Sequence, residues 1–131
     1  MRFLLDTNTV IALIVRRNRS VLASLIANRG EVASSVIVLH ELYYGAFNST
    51  KLEQNLDELS SFELPMLPFE MGDARVAGEV RAALRQLGTP IGAFDLLIAG
   101  QALARDLTIV TDNVREFSRV QGLRVEDWTQ G

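Results

Sequence analysis

An α/β fold on a short, mainly parallel sheet is what this sequence predicts, and two observations predict it. Short apolar runs alternate with stretches of helical spacing along the 131 residues, the pattern of strand–helix–strand units whose strands pair in parallel. Two of the best strands then stop at an aspartate, Asp6 and Asp112. Ligands of such sheets bind outside the carboxyl ends of the strands, so both acids fall where sites form.

The elements follow in order. Phe3-Leu4-Leu5 is a short apolar run and reads as a buried strand. Thr7 is suited to cap the helix after it, in which Val10, Ile11, Leu13 and Ile14 repeat at helical spacing, and the polar run Arg16-Arg17-Asn18-Arg19 breaks it. A short helix over 20–28 is stopped by Gly30, and Val32-Ala33-Ser34 reads as a second strand. Ser34 or Ser35 caps a helix to about Asn48, with Val38, Leu42 and Gly45 on one face and Leu39, Tyr43 and Ala46 on another. A further helix covers 52–59. The extended stretch 64–68 carries two prolines, Pro65 and Pro68, which mark an edge strand. A long helix over 70–87 has Val76, Val80, Ala83, Leu84 and Leu87 as its apolar stripe, and Gly88 ends it. Pro90-Ile91-Gly92 turns the chain into a helix over 93–104. Leu107-Thr108-Ile109-Val110 is the clearest strand, followed by a short helix over 113–118 and a last strand at Leu123-Arg124-Val125.

The bulk composition bounds the function. A chain of 131 residues fits one domain, 1–131, able to fold without staples. The absence of cysteine excludes catalytic thiols, zinc–thiolate centres and disulfides. Although 48% of residues are hydrophobic, no apolar run approaches the roughly 18 residues of a membrane span. Asp6 falls where a secretory signal would still be apolar, so a cytoplasmic protein is expected. The net charge of −3 weighs mildly against nucleic acid, whose binders are usually basic. Against that, every basic residue except Lys51 is an arginine, whose planar fork suits phosphate.

The acids carry the chemistry. Cleaving a phosphodiester in line develops charge on an attacking water and a leaving oxygen, and divalent cations can stabilise both. Mg²⁺ takes oxygen ligands, so the requirement is three or four carboxylates converging from separate elements. The sequence offers Asp6 after the first strand, Glu41 within a helix, Asp95 near a helix start, and Asp112 or Glu116 after the fourth strand. Glu41 lies beside an apolar stripe, and Asp95 sits between Phe94 and Leu96-Leu97-Ile98. Both are costly places for an unpaired charge, and a cation would explain them. Glu116 has a bland rival reading, since Asn113 and Glu116 have the spacing of a capping box.

The blocks Phe3-Leu4-Leu5-Asp6-Thr7-Asn8, His40-Glu41-Leu42-Tyr43-Tyr44-Gly45-Ala46, Gly92-Ala93-Phe94-Asp95-Leu96-Leu97-Ile98-Ala99 and Val110-Thr111-Asp112-Asn113-Val114-Arg115-Glu116-Phe117 occur in an order and at spacings that resemble PIN domains, and specifically VapC toxins of bacterial toxin–antitoxin pairs. The similarity runs through the tail 119–128, which looks like the subgroup that cuts initiator tRNA in the anticodon loop. The resemblance implies a PIN-like three-layer α/β/α sandwich and an Mg²⁺- or Mn²⁺-dependent endoribonuclease leaving 5′-phosphate and 3′-hydroxyl ends. It implies a homodimer restrained by a VapB-type antitoxin, with operator DNA bound only through that antitoxin. Asp6 and Asp95 would hold the main metal, with Glu41 and either Glu116 or Asp112 completing the pocket. Asn8, Thr111 and Asn113 would orient carboxylates or water. Many relatives carry an acid at the place of Asn113, so the fourth ligand stays open among Glu116, Asp112 and Asn113.

The remaining signals are weaker. His40, the only histidine, reads as a packed helix residue, and without a second histidine a metal-free His-pair ribonuclease is excluded. Tyr43, Tyr44 and Phe47 suit a dimer or antitoxin face better than base stacking. The helix near 76–87 is a candidate dimer surface. A phosphatase with Asp6 as nucleophile lacks the second aspartate two residues on, where Asn8 stands. A non-catalytic PIN-like RNA-binding or interaction module would be expected to have lost a core acid, and Asp6, Glu41 and Asp95 are all present.

Overall fold

Three consecutive buried side chains, Phe3, Leu4 and Leu5, fix the architecture around the first strand, because a strand buried on both faces needs helices on both faces. The computed structural model describes residues 1–130. In it β1 (Phe3–Leu5), β2 (Val32–Ser35), β3 (Met66–Leu67), β4 (Thr108–Val110) and β5 (Val125–Glu126) form one sheet, and β1, β2 and β4 are buried throughout. The strand order is β3-β2-β1-β4-β5 and every pairing is parallel, as the alternating pattern requires. The edge position of β3 beside Pro65 and Pro68 agrees with proline's missing donor.

The helices are α1 (Thr7–Ile14), α2 (Arg19–Ala27), α3 (Val36–Phe47), α4 (Leu52–Ser61), α5 (Met71–Gln86), α6 (Ala93–Ala104) and α7 (Val114–Phe117). No helix among the described residues is long and apolar enough to cross a membrane. The core gathers Leu4, Leu5, Val10, Ile98, Ile109 and Phe117 around the central strands. Trp128 closes it, its ring edge-on to Phe3 at 5.1 Å, which ties the C-terminal tail to β1.

Four sequence expectations need correction. Asp6, not Thr7, caps α1: its carboxylate accepts the Thr9 N–H at 2.9 Å, and Thr7 is already helical. Asn18 does not merely break the chain but caps α2 by accepting from the Val21 N–H, so Arg19 begins that helix. On α5 the buried face is Asp73, Ala77, Val80 and Leu84, while Ala83 and Leu87 are exposed. A stripe drawn from apolar residues alone missed that a buried aspartate shares it. The last strand is Val125–Glu126 rather than 123–125, because register with Ile109 and Val110 of β4 decides it.

That aspartate has a partner. Asp73 accepts from Arg105 Nε at 3.1 Å and Nη2 at 2.8 Å, and from the Glu70 N–H at 2.8 Å, which completes a capping box at the start of α5. Burial alone would raise the Asp73 carboxyl, but the Arg105 and Glu70 hydrogen bonds outweigh it and hold the group below its usual range. Arg105 also donates to the Pro68 carbonyl, so one side chain joins the end of α6 to the start of α5 and the exit of β3. Arg105→Met is expected to cost about 2 kcal/mol in urea unfolding, discounted from a fully buried pair because Arg105 is partly solvated. Asp73→Asn in that background should recover part of the loss by removing the stranded charge.

Candidate active site

Four elements deliver acids to the carboxyl edge of the sheet. Asp6 follows β1 directly, and Glu41 lies in the second turn of α3, the helix leaving β2. Asp95 lies in the first turn of α6, and Glu116 in that of α7, which follows β4. The parallel topology accounts for three of them, since β1, β2 and β4 each hand the chain to a helix at this edge, whereas α6, which carries Asp95, follows α5.

The charges of these four groups converge. Asp95 is half-buried and its carboxyl is pushed up to about 6 by burial and by the negative charges of Asp6, Glu41 and Glu116. Asp6 is buried, which raises it as well, against hydrogen bonds from Thr111 and from Thr9 that favour its ionised form. Asp112 adds repulsion to Asp6 but is not among the charges acting on Asp95. Of the two acids proposed for the fourth corner, Glu116 therefore faces the cluster, and Asp112 lies at its rim, exposed, with Asn8 Nδ2 at 3.4 Å.

Three of the four acids, Asp6, Glu41 and Glu116, are each held by a neighbour. Thr7 donates its hydroxyl to Glu41 Oε1 at 2.8 Å, a role the sequence concealed because Thr7 reads there as a cap. The Thr111 hydroxyl, fully buried, donates to Asp6 Oδ2 and accepts the Asn113 N–H at 2.9 Å. Asn113 Nδ2 donates to Glu116 Oε2 at 2.6 Å, and its side chain makes no capping bond to the backbone. The capping box expected of Asn113 and Glu116 is therefore absent, and the pair is a side-chain clasp on the carboxylate. Asp6 does cap its helix, but a carboxylate oxygen has lone pairs to spare for a second partner.

Among the described residues, no group of three or more acids or histidines already stands as close as an ion's ligand set. Like charges at this edge repel, and the hydrogen bonds tie Glu41 to α1 through Thr7 and hold Glu116 on its own helix through Asn113. The donor chemistry nevertheless fits a hard divalent cation: oxygen ligands only, no sulfur, and carboxylates whose mutual repulsion an ion would relieve.

The surroundings are aromatic and apolar. Phe94 and His40, the residues just before Asp95 and Glu41, meet with ring centroids 5.1 Å apart and planes tilted by 54°; both are exposed, so His40 makes a surface contact with α6 and is not the packed residue its sequence context suggests. Tyr43, Tyr44 and Phe47 are exposed along α3. Beside them a groove of about 250 Å³ runs between α1, α3 and α4, walled by Ile11, Ile14, Leu42, Ala46 and Leu59, with Glu41 at its edge.

Comparison with known proteins places the fold. The family described as "PIN domain" matches residues 3–123. The chain is 42% identical over 131 residues to the tRNA(fMet)-specific endonuclease VapC of Shigella flexneri, covering 98% of this chain and 99% of that one. Among solved structures, the DNA-bound VapBC of Salmonella typhimurium superposes with a TM-score of 0.94 at 40% identity, over 98% of each chain. VapBC2 of Rickettsia felis, bound to a DNA fragment from its promoter, gives 0.93 at 38% identity, over 98% of this chain and 99% of that one.

Proposed function

The chain belongs to the PIN-domain family, in its VapC branch, and from that premise we propose that it is a metal-dependent endoribonuclease toxin, acting on tRNA with the initiator tRNA anticodon loop foremost, and neutralised by a VapB-type antitoxin. The observation that carries the reading is the convergence of Asp6, Glu41 and Glu116 on Asp95. Nothing in the fold needs three further carboxylates whose charges disfavour the ionised form of Asp95, whereas a cation site for phosphodiester hydrolysis calls for such a set.

In this reading Asp6 and Asp95 are the principal ligands of Mg²⁺ or Mn²⁺, with Glu41 and Glu116 completing the pocket and Asp112 supporting from the rim. The ion, when bound, supplies Lewis acidity and a more acidic water. The protein's part is orientation. Thr111 aims Asp6 and favours its anion against the effect of burial, Thr7 holds Glu41, Asn113 holds Glu116, and Asn8 steadies Asp112. The apolar groove and the exposed Tyr44 and Phe47 give an antitoxin segment a place to pack beside Glu41. Operator DNA would be reached through that partner, and the active toxin would be a cytoplasmic homodimer.

The experiment is cleavage of tRNA and total RNA by the purified chain with Mg²⁺, with EDTA, and as Asp6→Asn. Cleavage that persists in EDTA, or a fully active Asp6→Asn protein, overturns the reading. Glu116→Gln is expected to be inactive and Asn113→Ala only weakened, and the reverse order would move the fourth corner to Asn113.

Thr111→Val removes a hydrogen bond that favours the Asp6 anion, so the Asp6 carboxyl rises further. Supporting groups of this kind typically contribute 10- to 100-fold in metal affinity or activity, and a loss of about that size in Mn²⁺ affinity is expected by titration calorimetry. Because the ionised form is what has been disfavoured, the deficit should shrink as pH rises.

A further inference from the structure

We infer that the cavity between α5 and the entry to α6 is a subsite for one nucleotide of the RNA strand, its phosphate taken by Arg81 and Arg85 and its base or ribose laid on Leu84, Ile91 and Leu97. The inference rests on the RNA-cleaving reading and assigns the RNA strand a contact outside the acid cluster. The cavity measures about 520 Å³, within the range of small-ligand sites. Its walls are apolar apart from the two guanidinium groups. Arg81 and Arg85 are four residues apart on one helix, so they are neighbours on one face, where like charges are mutually unfavourable without an anion.

Neither guanidinium is tied to an acid: among the described residues the arginine ion pairs are made by Arg2, Arg75, Arg105 and Arg124, and Arg81 and Arg85, like Arg16, Arg17, Arg19, Arg29, Arg115 and Arg119, make none. A third arginine shapes the rim: Arg119 Nη1 donates to the Pro90 carbonyl at 2.9 Å and so fixes the wall opposite α5. The position is set by sequence. Ala93, Leu96 and Leu97 line the cavity and share the opening turns of α6 with Asp95. A chain of net charge −3 with an acidic centre repels RNA, and a paired-arginine pocket bordering the helix that carries Asp95 offsets part of that repulsion.

The test compares the wild-type chain with the double variants Arg81→Gln/Arg85→Gln and Arg81→Lys/Arg85→Lys. Cleavage kinetics in Mg²⁺ and the salt dependence of binding to a fluorescent single-stranded RNA in EDTA are both read. The glutamine pair is expected to raise KM by roughly tenfold to a hundredfold with kcat nearly unchanged, the signature of lost uniform binding. The slope of log affinity against log salt should fall by about 0.7 per arginine, and the lysine pair should keep it. A folded glutamine pair with wild-type KM and slope overturns the subsite. So does one whose only change is conversion of a dimer to a monomer in sedimentation, which assigns the cavity to a second copy of the chain. A wild-type chain that cuts no RNA with any divalent metal fails the functional reading instead, while the binding arm in EDTA still decides the subsite.

Discussion

Asp95→Asn is expected to abolish RNA cleavage and, in EDTA at pH 8, to raise the melting temperature. The first effect is a loss of about a thousandfold or more in kcat, because a ligand carboxylate supports several kcal/mol of transition-state stabilisation through its ion. The second follows from the acid's surroundings. Asp95 titrates near 6 in the folded chain against an ordinary 3.8, through burial first and then the charges of Asp6, Glu41 and Glu116. A raised folded value means that its contribution to stability is fully present below about pH 4, where folded and unfolded forms both hold the proton, and is lost as pH rises through 6. At pH 8 the ionised group then costs about 1–2 kcal/mol, after discounting for its partial exposure. Asparagine removes that cost. It also removes an acid from the first turn of α6, where the helix dipole favours negative charge by about 0.3–1 kcal/mol. Relief of the buried charge outweighs the lost dipole contact, and a net rise of a few degrees is expected by calorimetry at pH 8, shrinking at pH 5. Mg²⁺ should reverse the order, since binding to the native state stabilises the wild type and not the variant. A variant less stable than wild type in EDTA at pH 8 would mean that the acids do not strain one another.

The same residues show what a sequence can and cannot disclose. Asp6 at a strand end and the apolar flanks of Asp95 expose those acids to simple reading, because strand-end position and unpaired charge are both local properties. The parallel sheet was legible for a similar reason, in the apolar run at 3–5 and the run at 107–110, apolar except for Thr108. Which acid takes the fourth corner was not, since Asp112 and Glu116 are four residues apart and only the turn of α7 decides which one faces Asp95. Thr7 misled because capping ability is a property of residue type, and Asp6, one position earlier, took the cap. Asp73 was hidden for a deeper reason. Its partner Arg105 is 32 residues away on another helix, and no spacing rule connects them.

Gly100→Ala tests how tightly the scaffold behind the site is built, and it should unfold the chain by about 3 kcal/mol more readily than wild type, in the upper range for overpacked cores. Helix propensity alone argues the opposite, because alanine in a helix interior is better than glycine by about 1 kcal/mol. Packing decides against it. A Cβ on Gly100 would lie 2.5 Å from the Ala77 Cα and 2.8 Å from the Ala77 backbone nitrogen. Those are backbone atoms of α5, not the tip of a side chain, so relief requires α5 and α6 to part. The parting would be felt at both ends of α6. At its start it moves Asp95 relative to Asp6, whose position is fixed by β1 and Thr111. At its end it pulls Arg105 away from Asp73. Activity is therefore expected to fall even in the fraction that remains folded. Gly78→Ala supplies the control, on an exposed face of α5 with nothing within 4 Å of the new Cβ. There propensity acts unopposed, and the variant should gain up to about 1 kcal/mol with unchanged cleavage. Equal stability of the two alanine variants would show that α5 and α6 can separate without cost, and would remove the rigid helix pair as the support of Asp95.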